Sequence, residues 1–458
     1  MSEDLIKSDI RKSILALSWP NQIAFILQAL FSLVDTIYIG RVSPDALAAV
    51  SMVFPVFVVM FSIAGGIGVG GTSLISRYLG SRKKKKALEV AHTTLLLSLL
   101  TTIFFMIIGF FYVEPLYTWM GAGSPVLEMA ISYTKILLWG SVFMFVMIGA
   151  GSILRGEGDM KTPVKYMIIS SIINVLLGPV LIYGLFGFPR MTVAGAAIAL
   201  NISIAIGCFL TLLHVLRKKG KLHLSWKGFR YHGELAKKIL DLGIPTSVAQ
   251  SFLALGVIFL TKIAASFGPE AIAAYGVGYR LDLLAVLPAL GITLTMVTII
   301  GHNVGAKKFF RAIKAVINGS IIVAIEMGLI GLLLFLFPDL FMRIFTDNKE
   351  VIALGIDYLR IVGLTYSFIG VGMIIGAAFQ GAGSSMPLLI ITLARLVILP
   401  IPLAYLIATK IQENLSGLWT AIAISNVLSA ILAVGWLLLS RFYQKALASE
   451  EGKTESFF

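Results

Sequence analysis

Charge is scarce in this chain. Only 13% of its 458 residues are Asp, Glu, Lys or Arg, while 58% are hydrophobic. A soluble domain of this size keeps roughly a quarter of its residues charged to wet its surface, so a soluble enzyme or scaffold is excluded. Cysteine is nearly absent: Cys208 is the single one, set in an apolar stretch. That rules out a disulfide framework and a thiolate metal site. Five histidines are scattered without ligand spacing, so no metal centre is expected. A phosphate loop is missing too. The glycine run Gly65-Gly66, Gly68, Gly70-Gly71 follows no strand, and no Lys-Ser/Thr pair closes it. It reads as close helix packing. With no nucleotide loop, triad spacing or metal cluster, neither enzymatic activity nor a cofactor is expected. No secretory signal is expected, because the first apolar stretch is too long for a signal core.

What the chain has in abundance is apolar helix. Spans of roughly 14–40, 46–76, 88–112, 126–153, 162–186, 192–217, 238–266, 272–300, 312–337, 351–380, 385–409 and 415–441 each reach the length needed to cross a bilayer. The fold class expected is an all-α polytopic membrane protein with twelve transmembrane helices in two pseudo-symmetric six-helix lobes. The net charge is +14, and its distribution gives it meaning. Lys7, Arg11 and Lys12 precede the first helix. Arg82 to Lys86, then Arg155, Lys161 and Lys165, then Arg217 to Lys238, then Lys307, Lys308, Arg311 and Lys314 fill alternate loops. The intervening loops hold few basic residues. By the positive-inside rule both termini lie in the cytoplasm and the chain sits in the cell membrane. The basic runs are expected to meet lipid headgroups, not nucleic acid.

The chain repeats itself at one constant offset. Pro20 returns as Pro245, Pro44 as Pro269, Gly80 as Gly305 and Gly156 as Gly381, and the offset is the same for every pair. A register held this long marks two copies of one unit. Six helices per copy preserve orientation, so the copies are related by an axis along the membrane normal. The expected domains are an N-terminal lobe at 1–216, a cytoplasmic connector at 217–237, a C-terminal lobe at 238–445 and a cytoplasmic tail at 446–458.

Asp35 is the outstanding residue. It lies inside the first helix, where inserting a charged side chain costs about 3 kcal/mol or more, so it should face protein or a water-filled cavity. A carboxylate in such a place is a candidate proton carrier. Asp35 has no counterpart in the second copy, where Leu260 stands, which points to function concentrated in the first half. Pro20 and Pro245 sit early in the first helix of each half and should kink it, and Pro20 is a candidate hinge below the acid. Asn21, Gln28, Asn174 and Asn201 are amides on spanning helices, able to bond a neighbouring helix or meet a cation. Gln28 is seven residues before Asp35 and shares its face. Lys262, Arg280, Asp282, Glu326, Arg360 and Arg395 are other charges at spanning depth. Of these, Glu326 is the best rival proton site, while Arg280 and Asp282 point to different faces.

The two six-helix halves, Pro20 with Asp35, the loop Val42-Ser43-Pro44-Asp45-Ala46-Leu47-Ala48-Ala49, and Leu154-Arg155-Gly156-Glu157-Gly158-Asp159 together resemble the MATE family of multidrug and toxic-compound extrusion transporters, over nearly the whole chain. They look most similar to the DinF-like prokaryotic branch. The resemblance implies a V-shaped pair of lobes, a central cavity, and cation-driven efflux of drugs, often cationic and aromatic. It makes Asp35 the coupling residue, with Asn174 beside it in the cation pathway and Asn21, Gln28 and Asn201 toward the substrate cavity. Many members carry a second aspartate in helix 5 after the asparagine matching Asn174, and here Gly178 stands at that place. The acids of helices 7 and 10 in the NorM-like branch have no counterpart, since Leu253 and Gly370 stand near them. The expected partners are small-molecule drugs or organic cations, H+ or Na+ at Asp35, and the lipid bilayer, with a monomer as the default. One carboxylate is a weak site for a hard cation, so protons are the expected driving ion. A lipid-linked oligosaccharide or lipid flippase of the same superfamily is the rival reading. It is disfavoured because the first half offers little cationic at spanning depth beyond Lys135.

Overall fold

The computed structural model describes residues 2–217, 222, 224, 231–411 and 414–450. Residues 218–221, 223 and 225–230 of the expected connector, and the tail beyond residue 450, lie outside the described residues. Among those described there is no strand. Among the described residues twelve helices are long and apolar enough to cross a membrane: α1 (Ile10–Gly40), α2 (Pro44–Gly80), α3 (Lys84–Trp119), α4 (Val126–Glu157), α5 (Lys161–Tyr183), α6 (Thr192–Leu216), α7 (Gly233–Ala265), α8 (Pro269–Gly305), α9 (Phe309–Leu336), α10 (Lys349–Ala382), α11 (Met386–Leu406) and α12 (Leu415–Leu439). The protein is a multi-pass membrane protein. Large apolar side chains such as Phe104, Phe111, Ile258 and Leu329 are exposed, as acyl chains, not water, would be their solvent.

Local chemistry sets the helix ends. Ser43 caps α2, its hydroxyl accepting the Ala46 amide at 3.0 Å, with Pro44 at the first helical position, where a missing N–H costs nothing. The helix α4 and the long α10 both stop on a left-handed glycine, Gly158 at φ 94° and Gly383 at φ 106°. Side chains rarely tolerate that backbone, so glycine ends the helix there. Gly156 and Gly381 lie inside their helices and serve packing: a Cβ there would meet Ile75 and the Val297 carbonyl oxygen respectively, each at 2.8 Å.

Backbone contacts divide the chain into two compact units. One runs to Gln22 and resumes at Val248, and the other is Ile23–Ser247. The divisions after Gln22 and Ser247 are separated by the repeat offset itself, so each falls at the same place in the first helix of a repeat. The 23–247 unit holds α2–α6, most of α1 and the first part of α7. Its core joins Ile75, Ala91 and Ile153 to Ile239 of α7, with a second cluster of Ile39, Tyr117 and Ile182. The other unit holds α8–α12, the rest of α7 and the start of α1. Its core gathers Ile14, Ala289, Met296, Tyr358 and Trp419. Cations fasten the first residues of that unit: Lys308 Nζ donates to the Ile6 carbonyl at 3.2 Å, Arg311 donates to the Ser8 carbonyl, and Arg11 to Asn318 at 2.7 Å.

Two helices expected to be continuous are interrupted. α10 is α-helical over Lys349–Val362, tightens to a 3₁₀ turn at Gly363–Thr365, and resumes at Tyr366–Ala382. At that turn Gly331 of α9 lies so close that a Cβ on it would strike the Gly363 carbonyl oxygen. α11 contains a π-helical turn at Ala394–Ile398. Pro400 lacks an N–H to continue the ladder, and the Leu399 amide reaches back five residues to the Ala394 carbonyl at 3.0 Å.

Candidate functional site

Asp35 is half-buried on α1, and Asn174 of α5 donates its side-chain N–H to Asp35 Oδ2 at 2.5 Å. The pairing is built by neighbouring contacts. Tyr183, at the end of α5, donates its hydroxyl to the Tyr38 carbonyl at 2.7 Å, and the two rings meet edge to face at 6.5 Å. α1 and α5 are thereby held side by side one turn beyond the acid. Gly178 follows Asn174 by one helical turn and shares its face. A Cβ at 178 would lie 3.6 Å from the Tyr38 ring and 3.9 Å from Asp35 Oδ1, so a side chain at this position would border the carboxylate. Buried Tyr133 of α4 is within electrostatic reach of Asp35. The hydrogen-bonded partner of Asp35 is a neutral amide, which orients the carboxylate without cancelling its charge. Such a group can take a proton or a small cation. Among the described residues, no three His, Cys, Asp or Glu side chains gather to hold a metal ion.

The second repeat fills the same place with leucine. Leu260 is 6% exposed in the core of its unit, and Leu403, the counterpart of Gly178, packs against that core. The site is therefore a local departure from a shared scaffold.

The other sequence candidates divide by location. Gln28 is half-buried on α1, two turns before the acid. Asn201 of α6 donates to the Ile136 carbonyl at 2.5 Å, and it fills the space left by Gly140, so it ties α6 to α4. Pro20 and Asn21 belong to the other unit. There Asn21 donates to Thr295 of α8 at 3.4 Å, and the Thr295 hydroxyl donates to the Leu17 carbonyl at 3.2 Å. A hydroxyl near carbonyls disturbed by proline is a usual remedy in membrane helices. Its counterpart is local, with Thr246 donating to Leu242 at 2.8 Å. Glu326 of α9 is engaged by Gln22, whose amide nitrogen lies 2.8 and 2.9 Å from its two oxygens.

Sequence reasoning passed over a second carboxylate centre. Asp282 of α8 is half-buried. Tyr358 donates to its Oδ2 at 2.5 Å and Tyr366 donates to its Oδ1. These tyrosines flank the 3₁₀ turn in α10. Arg395, in the π-turn of α11, acts on the same carboxylate through its charge. Arg280, two residues before Asp282, is exposed, as the different faces required. The signal that could have found this centre is the spacing of Tyr358 and Tyr366, two helical turns apart on one face.

The MatE family model matches residues 20–180 and again 245–406, and the two matches begin at Pro20 and its repeat counterpart Pro245. The chain belongs to the MatE family. The probable multidrug resistance protein YoeA of Bacillus subtilis is 30% identical over 430 residues, covering 93% of this chain and 91% of that protein. The probable multidrug resistance protein NorM of Thermotoga maritima is 26% identical over 443 residues, covering 97% and 95%. A FAD transporter of Shewanella oneidensis is 27% identical over 437 residues, covering 93% and 94%. Among solved structures, an outward-facing multidrug resistance MATE transporter of the MOP superfamily superposes with TM-score 0.91 at 28% identity, over 98% of both chains. A MOP superfamily transporter from Pyrococcus furiosus superposes with TM-score 0.90 at 28% identity over the same shares. The expected membership and the twelve-helix MATE fold are both met.

Proposed function

We propose that this MatE protein is a secondary antiporter that exports amphipathic, cationic compounds in exchange for protons, with Asp35 as the coupling residue and Asn174 as its partner. The observation that carries this reading is the Asp35–Asn174 hydrogen bond inside a membrane-spanning helix pair, at a place where the repeat has leucine. A charged Asp35 would attract a cationic substrate or take a proton, and the Asn174 amide would keep the oxygen aimed in either state. Proton entry would release the substrate, and proton loss on the other side would reset the site. A one-for-one exchange of a proton for a monovalent cation moves no net charge, so the pH gradient drives it, at about 1.4 kcal/mol per tenfold difference in proton concentration. Gly178 leaves the site with one acid, which favours protons over Na+. The basic loops support placing both termini in the cytoplasm of a cell-membrane protein.

The test is reconstitution in vesicles with imposed ΔpH or ΔpNa, paired with a drug-hypersensitive strain. Asp35→Asn should abolish ΔpH-driven dye efflux and drug resistance alike. Unchanged efflux by that variant would sink the reading. FAD belongs among the cargoes assayed, because the Shewanella oneidensis relative bears that name.

A further inference from the structure

Asp282 occupies, in its own unit, a setting that parallels Asp35. Tyr133 lies within electrostatic reach of Asp35, and Tyr358 is bonded to Asp282 at 2.5 Å. The two tyrosines are repeat counterparts, separated by the same offset as Pro20 and Pro245. The same position on α4 and α10 therefore sets a tyrosine near a carboxylate in each half, and at Asp282 the two are hydrogen-bonded. The acid itself comes from different helices, α1 in one unit and α8 in the other, which is why the repeat comparison of sequences hides the relationship.

The surroundings of Asp282 are more mechanical than those of Asp35. Its two oxygens accept from tyrosines on either side of the 3₁₀ turn Gly363–Thr365. The turn is held from other sides as well. Asn426 of α12 donates to Thr365 at 2.9 Å, and Ser367 donates to the Ala324 carbonyl of α9 at 2.8 Å. Tyr358 packs edge-on against fully buried Trp419 at 4.8 Å. A 3₁₀ stretch within a helix is a usual place for a hinge. The titratable groups facing Asp282 are Tyr275 and Tyr279 of α8, Tyr358 and Tyr366 of α10, and Arg395 of α11. Glu326 of α9 is engaged by Gln22.

We propose that Asp282 is a second proton-responsive carboxylate, acting as a positioning residue that clamps the interrupted helix α10. A carboxylate has only acceptors, so it takes both tyrosine hydroxyls at once. A proton taken from water converts one oxygen into a hydroxyl donor. The tyrosine at that oxygen can no longer donate to it: its hydroxyl must rotate to accept instead, and charge-assisted bonds give way to weaker neutral ones. The charge attraction to Arg395 is lost in the same step. The turn at Gly363–Thr365 is thereby held less firmly by its flanking tyrosines. The link from this clamp to transport rests on the proton-antiport reading above, but the clamp itself does not.

The experiment uses the full chain in lipid nanodiscs. Infrared difference spectra between alkaline and acidic buffer should contain a protonated-carboxyl C=O band. Part of that band should vanish in Asp282→Asn and shift in Tyr358→Phe and Tyr366→Phe, which keep the rings and remove one donor each. Hydrogen exchange across residues 358–368, taken relative to the intrinsic rate at each pH, should rise several-fold on acidification in the wild type and in Asp35→Asn. In Asp282→Asn it should be raised at both pH values and lose its pH response. An unchanged band, or a wild-type pH response of exchange in Asp282→Asn, overturns the proposal. If Asp35→Asn exports normally while the α10 response to Asp282 persists, the coupling role of Asp35 fails and the clamp stands. The reverse pattern removes the clamp and leaves Asp35.

Discussion

Gly66 of α2 and Gly291 of α8 are repeat counterparts, and each makes room for the start of the first helix of a repeat. A Cβ on Gly66 would strike Ser247 and the Gly243 carbonyl oxygen of α7, and one on Gly291 would lie 2.6 Å from the backbone nitrogen of Gln22 in α1. Gln22 and Ser247 are repeat counterparts too. The divisions after 22 and 247 therefore fall where each first helix lies against a glycine. Gly66→Leu and Gly291→Leu should each destabilise their unit by about 1–3 kcal/mol through overpacking. Cys208 is a buried thiol, so a thiol-reactive dye on heating reads unfolding without an added label. Lower melting midpoints in both variants are expected, and an unshifted midpoint would contradict the packing argument.

Removing Asn174 tests the candidate site from the other side. Asn174→Ala leaves Asp35 without its donor, and a hydrogen bond to a charged group contributes about 1.5–3 kcal/mol. Efflux should fall, with a shifted pH profile. In an Asp35→Asn background the same substitution should add little, because both changes act on one interaction. Additive losses in the double variant would separate the two residues.

The architecture was legible because it rests on periodic signals. Apolar runs of spanning length and prolines at matching positions gave twelve helices and the repeat without side-chain detail. Asp35 was legible because a charge inside an apolar helix is rare. Asp282 stood among several charges at spanning depth, and what sets it apart, its bonds to Tyr358 and Tyr366, comes from a helix distant in sequence. The 3₁₀ turn in α10 was illegible because it forms where the helix lies against Gly331 of α9, a contact distant in sequence. The split of α1 after Gln22 also depends on tertiary contacts. Gln22 itself drew no attention, since its partner Glu326 lies on α9, far along the chain.

Gly178 offers a gain-of-function test. The space between it, Tyr38 and Asp35 admits a Cβ at ordinary contact distance. Gly178→Asp would set a second carboxylate beside Asp35 and so double the anionic ligands available to a hard cation. ΔpNa, which should drive little efflux in the wild type, should drive measurable efflux in this variant. No Na+ response from a correctly folded variant would show that the second acid alone does not make a sodium site.

The Gln22–Glu326 contact is expected to be structural. Glu326→Gln keeps an oxygen to accept from Gln22, so efflux and thermal midpoint should stay near wild type. Glu326→Leu leaves the Gln22 amide without its acceptor at a half-buried position, a penalty of about 1–3 kcal/mol, and should lower the midpoint. Loss of ΔpH-driven efflux in Glu326→Gln with an unchanged midpoint would instead make Glu326 a proton carrier.

Asp9 gives a pH dependence whose sign follows from its cap geometry. It precedes α1 and accepts the Lys12 amide at 2.9 Å. That backbone hydrogen bond, helped by the positive charges of Lys12 and Arg11, holds its carboxyl below the usual range. A carboxylate lowered on folding contributes fully above its unfolded value of about 3.9, and the contribution disappears as pH falls through the lowered value. Amides of residues 10–13 should therefore exchange faster, relative to their intrinsic rates, only in strong acid. Asp9→Asn caps through a neutral oxygen, so its first turn should show no such acid dependence. Equal acid dependence in wild type and Asp9→Asn would assign the fraying to another group.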